Sequence, residues 1–96
     1  VPTAIRFAGH ADPDIRYAVA FALAGQDDPR AIDTLIRLTT DPVVKARDWA
    51  TFALASQTEW DSPELRAALW ARTTDPDNVT RGEALKARCD ALLKQA

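Results

Sequence analysis

Metal and redox chemistry have little to work with in this chain. It holds one histidine, His10, and one cysteine, Cys89, far apart in sequence, whereas a metal site needs several His, Cys or carboxylate ligands converging. Neither a metal nor another cofactor is expected, and a single cysteine cannot form a disulfide framework. The three glycines, at 9, 25 and 82, are too scattered to build a phosphate-cradling loop. Neither a Gly-x-Ser-x-Gly elbow nor a His-Glu-x-x-His helix is present. With no catalytic constellation in view, the chain is not expected to be an enzyme. Cys89 falls in a helical row with Val79, Leu85 and Leu92, which predicts a buried, inert thiol. His10 is predicted at the C-terminal end of a first helix, facing its free carbonyls.

Other absences narrow the setting. The formal net charge is −2, so no overall positive field draws in nucleic acid or an anionic membrane. No apolar stretch of about 20 residues or signal-type segment occurs, which makes the cytoplasm the default location. Methionine is absent, and Val1 to His10 reads as the trailing helix of a preceding unit. The chain is therefore expected to be a segment of a longer array or a processed product. Heavy use of Ala, and of Arg over Lys, points to a GC-rich bacterial source.

What the chain does contain is a repeat. Thr-Thr-Asp-Pro occurs at Thr39 to Pro42 and again at Thr73 to Pro76, a period of 34 residues. The register holds over a full unit: Asp41 and Arg47 match Asp75 and Arg81, Pro29 matches Pro63, Leu35 matches Leu69, and Ala50 matches Ala84. An earlier copy, Arg16 to Leu23, matches Arg47 to Leu54 at an offset of 31. The three missing residues are placed in one turn, around Glu59, Trp60 and Asp61. A period in this range signals stacked supersecondary units that bury a continuous core only together.

Each unit reads as two helices. Pro13, Pro29, Pro42, Pro63 and Pro76 each follow Asp or Ser, the pairing of an N-cap acceptor with a residue pre-set for the first helical position, and Pro2 is read as opening a further helix. Ile15, Val19, Ala22 and Leu23, then Ala46, Ala50, Ala53 and Leu54, mark the buried faces of the first helices. Ile32, Leu35, Ile36, Leu65, Leu69 and Trp70 supply bulk from the second. The alanines allow close helix approach. The predicted fold is all-α, an α-solenoid of antiparallel helical hairpins in one domain: 1–11 a trailing helix, 12–40 and 41–74 two repeats, 75–96 a terminal helix. The polar residues Glu83, Lys86, Arg88, Asp90, Lys94 and Gln95 are read as the outer face of that last helix.

The pattern resembles the HEAT repeats, armadillo-like helical arrays, and in particular the short bacterial HEAT-like form first associated with phycobilin lyases. The family shares an Asp in the turn before the first helix and an Arg inside it. Here Asp41 with Arg47 and Asp75 with Arg81 match that motif, and the resemblance implies a structural ladder between successive turns. Asp12 and Arg16 fit less well, with a spacing of four instead of six. The tetratricopeptide motif, the rival at this period, is absent.

The resemblance also implies that second helices line the concave, recognising side. On them Arg30, Asp33, Arg37, Arg66 and Arg72 stand between apolar positions, and Trp60 lies in the inserted turn. These six are the candidate partner-binding residues. Arginine pairs carboxylates bidentately, so the expected function is a non-catalytic protein-interaction module or scaffold, with a partner carrying an acidic segment. Nucleic acid and membrane are not expected partners, and the uncapped N-terminal face leaves self-association open. Two alternatives come from the family, a lyase-type or chromophore-handling accessory and a DNA-binding repair protein; a third is an architectural segment of a larger scaffold.

Overall fold

The computed structural model describes residues 2–95. Among them the chain forms α1 (Pro2–Ile5), α2 (Pro13–Leu23), α3 (Pro29–Leu38), α4 (Val44–Ser56), α5 (Pro63–Ala71), a 3₁₀ turn (Arg72–Thr74) and α6 (Asn78–Gln95), with no strand. The helices α2, α4 and α6 pack in that order as one layer, and α3 and α5 lie beside each other in the second. None of the helices is long and apolar enough to cross a membrane. The all-α solenoid expected from the repeat is the fold observed.

Capping explains most of the helix starts. The side chains of Asp12, Asp28 and Ser62 accept backbone N–H groups of Asp14, Arg30 and Leu65, with proline at the first helical position each time, which satisfies donors that the helix itself leaves unpaired. Pro42 and Pro76 differ. They lie two residues before α4 and α6, inside turns in which Asp41 and Asp75 accept the amides of Val43 and Asp77. Val1 lies outside the described residues. The segment after α1 continues only as tight turns, with Phe7, Ala8 and His10 amides bonding the carbonyls three residues back.

The core lies between the layers. Val19, Leu23, Ile32, Leu35, Leu38, Leu54, Leu65 and Leu69 are buried, and Ala20, Ala31, Ala46, Ala50, Ala53 and Ala84 have no exposed surface at all. Burying each leucine contributes about 1.5–3 kcal/mol. Ala22 departs from expectation and is exposed, because α2 is the first helix of its layer among the described residues and nothing covers its far side. Cys89 is likewise exposed, together with Val79, Leu85 and Leu92. The row predicted to be buried is instead the outer face of α6, and that face is more apolar than its polar residues suggested.

The length difference between units is shared between a helix and a turn. Ala24 leaves α2 in an extended conformation, and Gly25 then turns the chain at a left-handed φ of 82°. In the next unit α4 runs on through Ala55 and Ser56, so two of the three extra residues extend the helix and one lengthens the connection, 57–62 against 24–28. Trp49 is half-buried against aromatics of both helices: its ring centroid is 5.4 Å from Phe21, 5.2 Å from Phe52 and 6.1 Å from Tyr17.

Candidate functional site

Successive turns are joined by arginines. Arg16 donates from Nε to Asp41 Oδ2 at 2.7 Å and from NH2 to Oδ1 at 3.2 Å. Arg47 repeats the fork on Asp75, at 2.8 and 3.0 Å. Each arginine also donates NH1 to the main chain of its own turn: Arg16 to the His10 carbonyl at 2.7 Å, Arg47 to Asp41 at 3.1 Å and Arg81 to Asp75 at 2.9 Å. The aspartates are occupied on both sides, since Asp41 Oδ1 accepts the Val43 amide and Asp75 Oδ1 the Asp77 amide, each at 2.9 Å.

Burial opposes ionisation of Asp41 and Asp75. The arginine hydrogen bonds and the backbone amides more than offset it, and both carboxyls are held below their ordinary range. Asp75 is 2 % exposed and Arg47 8 %, so this pair is far removed from the exposed ion pairs that contribute little.

The first unit carries the same geometry on a different residue. His10, six residues before Arg16, stands where Asp41 and Asp75 stand: its carbonyl receives Arg16, and its Nδ1 accepts the Asp12 amide at 3.0 Å. The histidine is therefore a turn residue in a ladder position instead of a helix C-terminal one, and the irregular spacing between Asp12 and Arg16 disappears.

The six candidate recognition residues divide into three groups. On α3, Arg30 pairs with Asp28 at 3.0 Å, a contact that draws the Asp28 carboxyl down to about 2. Asp33 and Arg37 are exposed. Arg37 lies beside Gly9, where an added Cβ would sit 3.4 Å from its NH2, and it makes no ion pair among the described residues. Around α5, Arg66 pairs with Asp61 of the inserted turn at 3.2 Å, and Trp60 is 38 % exposed. Arg72 is committed to the ladder, donating NH1 to Asp75 Oδ2 at 3.0 Å from the 3₁₀ turn.

Trp60 and Arg66 line an open cleft of about 360 Å³ between the inserted turn, α5 and the end of α6. Leu65, Leu69 and Trp70 supply apolar wall and Lys94 a second cation, while Arg88 lies 5.9 Å from the Trp70 ring centroid.

The family model for HEAT repeats matches residues 1–87. The chain belongs to the HEAT-repeat family. Comparison with curated proteins and with solved structures gives no significant match.

Two features of this HEAT array had no signal in the sequence. The cleft depends on the inserted turn folding back beside α6, which no local pattern records. The other is Glu83, which packs from α6 toward Asp48 of α4. Burial, and then the Asp48 carboxyl beside it, push its carboxyl up to about 8. Thr80 adds contacts to Asp48 Oδ1 at 3.3 Å and Asp77 Oδ2 at 2.9 Å. Glu83 was expected on the polar outer face of the last helix; it turns instead toward α4 and is half-buried.

Proposed function

We propose that this HEAT array is a non-catalytic protein-interaction module of the short bacterial HEAT-like type, with the second-helix side formed by α3 and α5 as its recognition face. The observation that carries this role is Arg37, an exposed guanidinium beside Gly9 with no carboxylate in ion-pair reach among the described residues. Arg66 on the adjacent helix and Trp60 in the turn before it border the cleft. The buried ladder behind them holds the helices in place, so little ordering accompanies binding and a few anchors supply the affinity. The partner implied is a protein segment with acidic residues for Arg37 and Arg66 and an apolar side chain for the Trp-lined cleft.

Affinity capture from source lysate, with the Arg37→Glu/Arg66→Glu variant as matched control, tests this. A protein held by the wild type and lost by the folded variant is the expected result; equal capture by both counts against the proposed face. The chromophore-handling alternative has one observation in its favour, that Trp60 and Trp70 both line the cleft. Visible absorbance of protein incubated with tetrapyrroles would support that alternative. DNA binding has no such observation.

A further inference from the structure

Equivalent positions are filled differently in the two junctions of the first-helix layer. Between α2 and α4 the Trp49 ring stacks on Phe21, centroids 5.4 Å apart at an interplanar angle of 26°, with Tyr17 and Phe52 beside it. One unit on, the repeat register replaces Trp49 by Glu83, Phe21 by Phe52, Tyr17 by Asp48 and Phe52 by Lys86. A recess of about 240 Å³ opens between α4 and α6 at that place, walled by Phe52 and Ala55 on one side and by Glu83, Lys86 and Ala87 on the other. Both of its helices are in place and packed together. In the first junction, where α6 covers the far side of α4, Trp49 and Phe52 still reach the surface, so further stacking leaves this niche open.

The charge around the recess is one-sided. Asp48 and Glu83 bring their carboxyls together across the junction, and Thr80 links Asp48 to Asp77, its hydroxyl 3.3 Å from Asp48 Oδ1 and 2.9 Å from Asp77 Oδ2. None of these three acids has an ion-pair partner among the described residues. Lys86 is held at 3.1 Å by Asp90 on its own helix. Burial and the Asp48 carboxyl push the Glu83 carboxyl up to about 8, so the junction carries negative charge that only a bound proton relieves.

We propose that this recess is a binding site for a guanidinium group, which stacks its face on the Phe52 ring and turns its N–H edge to Glu83 and Asp48. The shape calls for a flat group, since the equivalent niche one unit earlier holds an indole stacked on a phenyl ring. The carboxyls call for a cation. A guanidinium is both, with a planar fork that pairs carboxylates and a face that stacks on aromatic rings. An ammonium lacks the plane, and a neutral aromatic ring leaves the carboxyls without partners. The group arrives on a small guanidinium compound or on an arginine of another protein. The site does not depend on the role given to α3 and α5, which contribute no residue to its walls.

The test is an NMR titration of the full chain read on its alanine methyl groups, with methylguanidinium, N-acetyl-arginine methylamide and N-acetyl-lysine methylamide as probes. Both guanidinium probes should shift the Ala55 and Ala87 methyls saturably and leave the buried Ala31 of α3 unmoved, and the lysine probe should bind about tenfold more weakly. Equal affinity of the two guanidinium probes assigns the site to a small compound, and tighter binding of the peptide-borne group assigns it to an arginine of a partner. Glu83→Gln should weaken binding about tenfold through loss of a charge-assisted contact. Affinity of the wild type should rise with pH through about 8 and level off above, because Glu83 gives up its proton to the incoming cation; Asp48, Asp77, Lys86 and Asp90 are the other charged groups around it. Glu83→Trp puts the residue of the first junction into the second and should bind none of the probes. The proposal is overturned if no probe saturates, if the shifts fall elsewhere, if the lysine probe binds as well as the arginine one, if affinity ignores pH, if Glu83→Gln binds as tightly as the wild type, or if Glu83→Trp folds and still binds.

Discussion

Trp49 and Glu83 hold the same place in successive first helices, and both are drawn in from solvent, the Trp49 Nε1 with no bonding partner among the described residues and the Glu83 carboxyl against that of Asp48. Burial of such groups costs them their hydration. For Glu83 the consequence is a carboxyl that binds its proton more tightly in the folded chain than in the unfolded one. Its stabilising contribution is complete below about 4.5 and is lost as pH rises through about 8. Melting temperature should therefore fall from about pH 5 to about pH 8 and level off above. Glu83→Gln should remove most of that fall, by about 4–8 °C for an effect on the order of 1 kcal/mol once partial exposure is allowed for. Parallel pH profiles for the two proteins would show that Glu83 is not the group responsible.

The buried rung makes a larger claim. Arg47→Ala leaves Asp75 with its carboxylate buried and only Arg72 opposite, and loss of one partner of a buried pair costs about 3–5 kcal/mol. Arg47→Lys should recover little, since one ammonium cannot reach both the Asp75 carboxylate and the Asp41 carbonyl. Arg30→Ala, at an exposed pair, should stay within about 0.5 kcal/mol. Urea melts of the three variants decide this, and similar midpoints for Arg47→Ala and Arg30→Ala would refute it.

The same aspartates set the acid limit. Because the folded-state carboxyls of Asp41 and Asp75 lie below their unfolded values, their contribution is present above the ordinary carboxylate range and is lost as pH falls through their own. Acid unfolding of Asp75→Asn should be flatter than that of the wild type, on a lower plateau at neutral pH. An unchanged acid limb would assign the transition to other groups.

Two glycines should respond in opposite directions. Ala at position 25 would need the left-handed φ that Gly25 adopts, at a cost of about 1 kcal/mol, although its Cβ has room, 3.9 Å from Gln57 O. Gly82 is helical with an open Cβ position, and Gly82→Ala should stabilise by about 0.5–1 kcal/mol. Thermal melts showing the same sign for both would contradict these assignments.

The repeat was legible because Thr-Thr-Asp-Pro and the Asp-to-Arg spacing recur in linear sequence, and proline after a capping residue marked α2, α3 and α5. Other features required contacts between units. His10 escaped notice in its ladder position because an imidazole nitrogen, not a carboxylate, accepts the amide there. Arg72 read as a surface residue of the second helix until the 3₁₀ turn brought it onto Asp75. Cys89 read as buried because periodicity finds the apolar side of a helix but cannot say whether a neighbour covers it. The candidate recognition residues Arg30, Asp33, Arg37 and Arg66 were correctly judged to be on the surface, and only the folded inserted turn set Arg66 and Trp60 at one cleft.

In all three units the ladder turn has the same span, from His10, Asp41 or Asp75 to an arginine six residues on, while the connections on the other edge already differ by one residue. Within this chain the length differences between units thus fall on one side of the array. A residue added within 24–28 or 57–62 changes a surface loop. One added between Asp41 and Arg47 turns the guanidinium about 100° around its helix, away from both acceptors, and parts two units at once. The edge free to vary is also the one that bears Trp60, so new contact surfaces can arise there while the opposite edge keeps the stack in register.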